Sequence, residues 1–184
     1  MHTVFIFHGT NGFPQENWFD WLKQKLEKLN CKVIVPQFPT PQNQTPESWF
    51  KVLEQYSDEL NEDSILVGHS LGGTFLLRVL ETIDFKIRGA FIVSATVGIK
   101  PLKNFETDKP FTQKPFEWKK IRQNCKNFFV FHSENDPIVG FANGEKIAKM
   151  LSTKLISVPD ARHFNTAAEY TKFDLLLEKI KTVL

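Results

Sequence analysis

The chain has little of what several specialised protein classes require. Two cysteines, Cys31 and Cys125, lie far apart among 184 residues and match no metal-ligand spacing. They are too few for a disulfide scaffold and suit reduced thiols in a cytoplasmic protein. No basic tract exceeds two residues, and 23 basic side chains nearly balance 21 acidic ones. We therefore expect no electrostatic grip on nucleic acid or on an anionic membrane. No apolar run is long enough to span a bilayer. The opening Met1-His2-Thr3-Val4-Phe5-Ile6-Phe7 lacks the basic leader and long apolar stretch of a signal peptide. Internal repeats, low-complexity tracts and signs of a second domain are absent. These gaps leave one intracellular domain with a sizeable core.

What the sequence does have is rhythm. Short apolar runs alternate with amphipathic stretches, the pattern of a parallel sheet covered by helices. The strands are expected at Thr3–His8, Lys32–Val35, Ser64–Gly68, Gly89–Ser94, Phe128–His132 and Lys154–Val158. Helical spacing joins Trp18, Leu22, Leu26 and Leu29, then Trp49, Leu53, Tyr56 and Leu60, and later Phe173, Leu176, Leu177 and Ile180. Thr45-Pro46-Glu47-Ser48 reads as a helix start, with Thr45 as N-cap and Pro46 in the first turn. The fold class expected is α/β: a six-stranded, mostly parallel sheet with helices on both faces. One stretch, 96–124, breaks the rhythm with Pro101, Pro110 and Pro115 among Phe105, Phe111, Phe116 and Trp118. It is long for a connection and reads either as a small cap over a pocket or as a surface excursion ending in a short helix, Pro115–Gln123.

Gly68-His69-Ser70-Leu71-Gly72 follows an apolar strand and precedes a helical period. By composition such a G-x-S-x-G match arises by chance on the order of once in twenty chains of this length. The strand–turn–helix setting makes it specific. A turn that sharp raises the Ser70 hydroxyl from the sheet edge and leaves no room for side chains on Gly68 and Gly72. It also brings the Leu71 amide to a helix N-terminus, where it can meet an oxyanion.

A serine hydroxyl needs a base to attack, and in this architecture the order is nucleophile, acid, histidine. Asp136 lies in the loop after the strand Phe128–His132, with Glu134 its nearest rival. His163 lies in the loop after the last strand, with Asp160 a weaker acid beside it. His163 would take the Ser70 proton while Asp136 held its other ring nitrogen. His69 reads as packing and His132 as a neighbour of the site. His8-Gly9-Thr10-Asn11-Gly12 follows the first strand and should supply a second oxyanion amide, from Thr10 or else Asn11. This loop lacks the Walker lysine and the full glycine fingerprint of a phosphate site. Phe13, Trp18, Phe111 and Trp118, with Phe105, are candidates for an apolar substrate pocket.

With those residues in place the chain resembles the small α/β-hydrolases that include retinoblastoma-binding protein nine and the YdeN-like proteins. The resemblance spans essentially the whole chain. It rests on the H-G-T-N-G loop, Trp18-Phe19-Asp20-Trp21-Leu22, Glu47-Ser48-Trp49 and Gly68-His69-Ser70. It continues through Lys114-Pro115-Phe116-Glu117-Trp118-Lys119-Lys120-Ile121, Asn135-Asp136-Pro137 and His163-Phe164. It implies a minimal hydrolase acting on small esters or amides without metal or cofactor, with Ser70, Asp136 and His163 on the triad positions. Leu29-Asn30-Cys31-Lys32-Val33 only partly matches an L-x-C-x-E peptide, so pocket-protein binding is not carried over. Hydrolysis of a small ester or amide through an acyl-enzyme is the expected activity. A hydrolase-fold interaction module and acyl transfer to another acceptor are the alternatives.

Overall fold

The computed structural model describes residues 1–184. Six strands, β1 (Thr3–Phe7), β2 (Lys32–Ile34), β3 (Ile65–His69), β4 (Gly89–Val93), β5 (Phe128–His132) and β6 (Leu155–Ser157), make one sheet. Their order is β2-β1-β3-β4-β5-β6, and every neighbouring pair is parallel. Each strand lies within one residue of its expected span at either end. The fold is thus the α/β class anticipated, with a wholly parallel sheet.

Side chains alternate across the sheet, as the two-residue period of a strand requires. Val4, Ile6, Val67, Phe91 and Phe131 enter a core under α1 (Phe19–Glu27) and α7 (Asp174–Lys181). Phe5, Phe7, Leu66 and Ile92 enter the opposite core, with residues of α2 (Pro46–Glu54), α3 (Leu71–Thr82), α5 (Trp118–Gln123) and α6 (Ala142–Met150). Filling two cores accounts for much of the Phe and Trp content. Thr45 caps α2 as expected: its hydroxyl accepts from the Ser48 amide, and the Ser48 hydroxyl accepts from the Thr45 amide.

The chain leaves β1 for β2 on one side and returns to β3 on the other. Loops after β1 and β3 therefore part company at the carboxyl edge of the sheet and open a crevice there.

Segment 96–124 is more regular than its prolines suggest. It holds α4 (Phe105–Thr112) as well as α5. The sequence reading gives no helix at α4, because Pro110 lies inside it and removes an intrahelical hydrogen bond. The segment is fastened along its length. Asn143 Oδ1 accepts from the amides of Val97 and Ile99, at 3.0 and 3.1 Å. Buried Arg78 donates to the carbonyls of Phe111, Lys114 and Pro115. Its guanidinium also lies 3.7 Å from the Phe116 ring centroid and pairs with Glu81 at 2.9 Å. Glu81 in turn accepts from the Glu117 amide.

Candidate active site

Between β3 and α3 the backbone turns at Ser70, with φ 54° and ψ −124°. This is a costly conformation for a residue with a side chain, and it persists only where the surroundings enforce it. They do so here. The Ser70 amide donates to the Val93 carbonyl at 2.9 Å, and the Ser70 carbonyl accepts from Gly73. A Cβ on Gly68 would sit 2.6 Å from the Gly73 Cα, and one on Gly72 would collide with the Phe7 carbonyl. Only glycine at both positions lets α3 start this close to the sheet.

Asp136 stands in the loop after β5. Its Oδ1 accepts from the amides of Ile138 (2.8 Å) and Val139 (3.0 Å), so the loop orients the carboxylate itself. His163 Nδ1 donates to Asp136 Oδ2 at 2.9 Å. In the neutral ring this puts the proton on Nδ1 and leaves Nε2 as the acceptor. Burial opposes ionisation of Asp136, but the His163 hydrogen bond and charge, with the two amides, outweigh it and hold the carboxyl below its ordinary value. His132 is buried and donates from Nε2 to the Val139 carbonyl at 2.9 Å, bracing the same loop. Burial keeps its pKa below that of a free histidine. Glu134, the rival acid, is exposed.

β6 lies at the sheet edge, three strands from β3, so the His163 loop must double back to reach Ser70. Two side chains draw it there. His69 Nε2 donates to the His163 carbonyl at 2.8 Å, and Trp18 Nε1 donates to the Phe164 carbonyl at 3.0 Å. Burial, then the neighbouring His163 charge, pushes the pKa of His69 down to about 3, so its ring stays neutral. Asp160, Arg162 and Phe164 all take positive φ, which coils the loop tightly around His163.

Ser70, His69 and His163 line one cavity of about 430 Å³ with Gly9, Thr10, Phe13 and Gln15 to Asn17. Asn104, Ile138 and Asn165 to Ala167 complete the wall. The amides of Thr10 and Leu71 donate to no group of the protein, whereas Asn11 donates to the Thr40 hydroxyl at 2.7 Å. Between the two candidates in that loop, Thr10 has the free amide.

The cavity is not the aromatic pocket expected. Of the aromatic candidates, Phe13 alone lines it. Trp18 and Phe111 are fully buried, Trp18 against Phe19 and Phe173 and Phe111 against Trp49. Trp118 packs on Phe116 beside the core, and Phe105 lies under the Lys100 ammonium. Phe111, Phe116 and Trp118 pack in or against the core because α4 and α5 pack against α3. The lining is instead mostly polar, its apolar members being Phe13, Ile138 and Ala167.

Glu16 is the one carboxylate in that lining, and no Lys or Arg joins it there. Burial, opposed by the Gly9 amide, pushes its pKa up to about 7. The sequence reading passed over Glu16, although an acidic residue shortly after the β1 loop was the available signal. No group of three or more His, Cys, Asp or Glu is arranged to hold a metal. No helix is long and apolar enough to cross a membrane.

Fold and site together define a class. The serine hydrolase family model matches residues 4–182, and the chain belongs to that family. It is 29% identical to the YdeN protein of Bacillus subtilis (strain 168), over 95% of this chain and 92% of that protein. It is 25% identical to serine hydrolase RBBP9 of Rattus norvegicus, over 96% and 91%. The solved structure of the B. subtilis ydeN gene product superposes with a TM-score of 0.92 at 28% identity, covering all of this chain and 98% of that one.

Proposed function

We propose that this serine hydrolase cleaves small, polar carboxylic esters or amides through an acyl-enzyme, with Ser70 as nucleophile, His163 as general base and Asp136 as its orienting acid. One observation carries the reading. Ser70, His163 and Thr10, whose amide is unengaged, line a single cavity, the unengaged Leu71 amide adjoins Ser70, and Asp136 stands behind His163.

In this reading Ser70 Oγ attacks the substrate carbonyl carbon while His163 Nε2 takes the hydroxyl proton. The carbonyl oxygen becomes an oxyanion and is received by the amides of Thr10 and Leu71. As the tetrahedral adduct collapses, the proton passes from His163 to the departing alcohol or amine, leaving an acyl group on Ser70. Water then attacks the acyl carbon, gives a proton to His163, and the carboxylic acid leaves as the proton returns to Ser70. The ionised Asp136 stabilises the imidazolium in both halves. The polar lining and the Glu16 carboxyl favour neutral or cationic acyl groups with hydrogen-bonding substituents over long alkyl chains or anions.

A fluorophosphonate probe followed by intact-mass spectrometry tests this directly. Wild-type protein should gain one phosphonyl group, on Ser70, and Ser70→Ala should gain none. A folded wild type that stays unlabelled would overturn the reading.

A further inference from the structure

We propose that Asp108 is a positioning residue for the oxyanion site: through the Thr10 hydroxyl and the Gln44 side chain it fixes where the Thr10 amide points. The inference rests on Thr10 being an oxyanion donor, as proposed above.

A loop amide that donates to nothing in the protein needs its direction set by other groups. The Thr10 N–H shares a planar peptide unit with the Gly9 carbonyl, and the two point in opposite directions. The Gly9 carbonyl is held by two donors, the Gly12 amide and His8 Nδ1, both at 3.0 Å. His8 can donate there because its Nε2 accepts from the Phe38 amide at 2.9 Å. That secures the carbonyl side of the plane. The other side depends on the Cα of Thr10, and there the restraint is a side chain. Thr10 Oγ1 gives its single proton to Asp108 Oδ1 at 2.5 Å.

Asp108 belongs to α4, in the segment fastened by Arg78 and Asn143, and is 4% exposed. The same Oδ1 accepts from Gln44 Nε2 at 3.2 Å, and Gln44 Nε2 also donates to Thr10 Oγ1 at 3.2 Å. Gln44 is itself aimed: its Oε1 accepts from the Thr40 hydroxyl at 2.5 Å. Thr40 Oγ1 then accepts from the Asn11 amide. The bonds close a ring that runs from Thr10 through Asp108, Gln44 and Thr40 to Asn11, the next residue after Thr10. Gln44 Nε2 spends its two protons on three acceptors, the Thr107 carbonyl at 2.9 Å and the longer contacts to Thr10 Oγ1 and Asp108 Oδ1, so the Thr10–Asp108 bond is the firmest link holding the Thr10 side of the ring. A residue that only glued α4 to the core would not need to bond the hydroxyl of the cavity-lining residue whose amide is free.

The decisive comparison uses Asp108→Ala, Asp108→Asn, Thr10→Val and the double variant Thr10→Val/Asp108→Ala. Each is assayed for kcat and KM on p-nitrophenyl acetate, for affinity toward a trifluoromethyl ketone, and for thermal midpoint. The ketone forms a hemiketal oxyanion on the serine and so reports on the oxyanion site itself. Deleting an oxyanion donor outright costs about 10²–10³-fold in kcat, and a misdirected one should cost less, about 10–100-fold. We expect that loss in Asp108→Ala and Thr10→Val, with KM little changed and ketone affinity falling in parallel. Asp108→Asn keeps the Oδ1 acceptor and should recover most of the loss. The double variant should be no worse than the poorer single one, because both changes break one linkage.

The proposal is overturned if Asp108→Ala lowers the thermal midpoint while kcat and ketone affinity stay at wild-type values. Multiplying losses in the double variant would overturn it too. Should Asp108→Ala not fold, Thr10→Val keeps the side-chain volume and decides alone: wild-type kcat in it overturns the inference. An unlabelled wild type in the fluorophosphonate assay removes the hydrolase reading and this inference together. A labelled wild type with unaffected variants removes this inference alone.

Discussion

Asp136 and Asp108 are two buried aspartates beside one cavity, and their surroundings shift their pKa values in opposite directions. Burial works against both carboxylates. For Asp136 it is outweighed by the His163 hydrogen bond and charge and by two backbone amides, so the carboxyl ionises more readily than usual. For Asp108 burial wins over its bonds from Thr10, Gln44 and Thr107, and the carboxyl ionises less readily. A hydrogen-bonding imidazole that can become cationic offsets desolvation where neutral hydroxyl and amide donors do not. One aspartate suits holding a charge opposite an imidazolium, and the other suits accepting hydrogen bonds in a fixed frame.

The largest effect expected from disturbing this contrast is in Asp136→Asn. The amide can still accept from the Ile138 and Val139 amides, but it supplies no charge and can present its NH₂ to His163, favouring the wrong tautomer. We expect kcat/KM on p-nitrophenyl acetate to fall by about 10⁴-fold with folding retained, the scale known for the equivalent change in serine proteases. The Asp108 variants come next, with the smaller kcat losses given above.

The stability of the two variants should then depend on pH with opposite sign. Asp136 has a depressed folded pKa, so its stabilisation is present above the unfolded value near ~4 and is lost as pH falls through the folded value. Asp108 has a raised folded pKa, so wild-type stability declines as pH climbs from the unfolded value to the folded one and is level above it. Thermal midpoints from pH 3 to 7 should show Asp136→Asn losing ground to wild type as pH rises and Asp108→Asn gaining it. Parallel curves would remove the contrast.

Glu16 gives the smallest effect on turnover. Its pKa is raised to about 7, so wild type loses stability between the ordinary value of 4.5 and 7. Glu16→Gln should gain midpoint relative to wild type across that window and hold that gain, without adding to it, above pH 7. It should also narrow the preference for neutral over anionic acyl groups, read as the kcat/KM ratio for acetyl and hemisuccinyl esters at pH 8.

The strands and the elbow were legible because period, glycine spacing and chain order are local signals. Ser70 could be placed from five residues and their flanks, and the same chain order pointed to the loops of Asp136 and His163. The work of Trp18 and His69 was not legible, since both act by donating to carbonyls of a loop that lies far along the chain. Nothing periodic marks which way a loop carbonyl faces. The pocket aromatics were misread for a related reason. A sheet covered on both faces needs large side chains in two cores, and composition alone cannot separate core Phe111 from cavity-lining Phe13. Asp108 was hidden inside a helix that Pro110 argued against.

The Arg78 clamp carries a consequence for how substrate arrives. The Phe111, Lys114 and Pro115 carbonyls are bound to one buried guanidinium, which ties the end of α4 to α3, and of 96–124 only Asn104 lines the cavity. A cavity so little covered by that segment should admit substrate without any unfastening at an oil–water boundary. Turnover of a short ester should rise smoothly through its solubility limit, with no jump when droplets form.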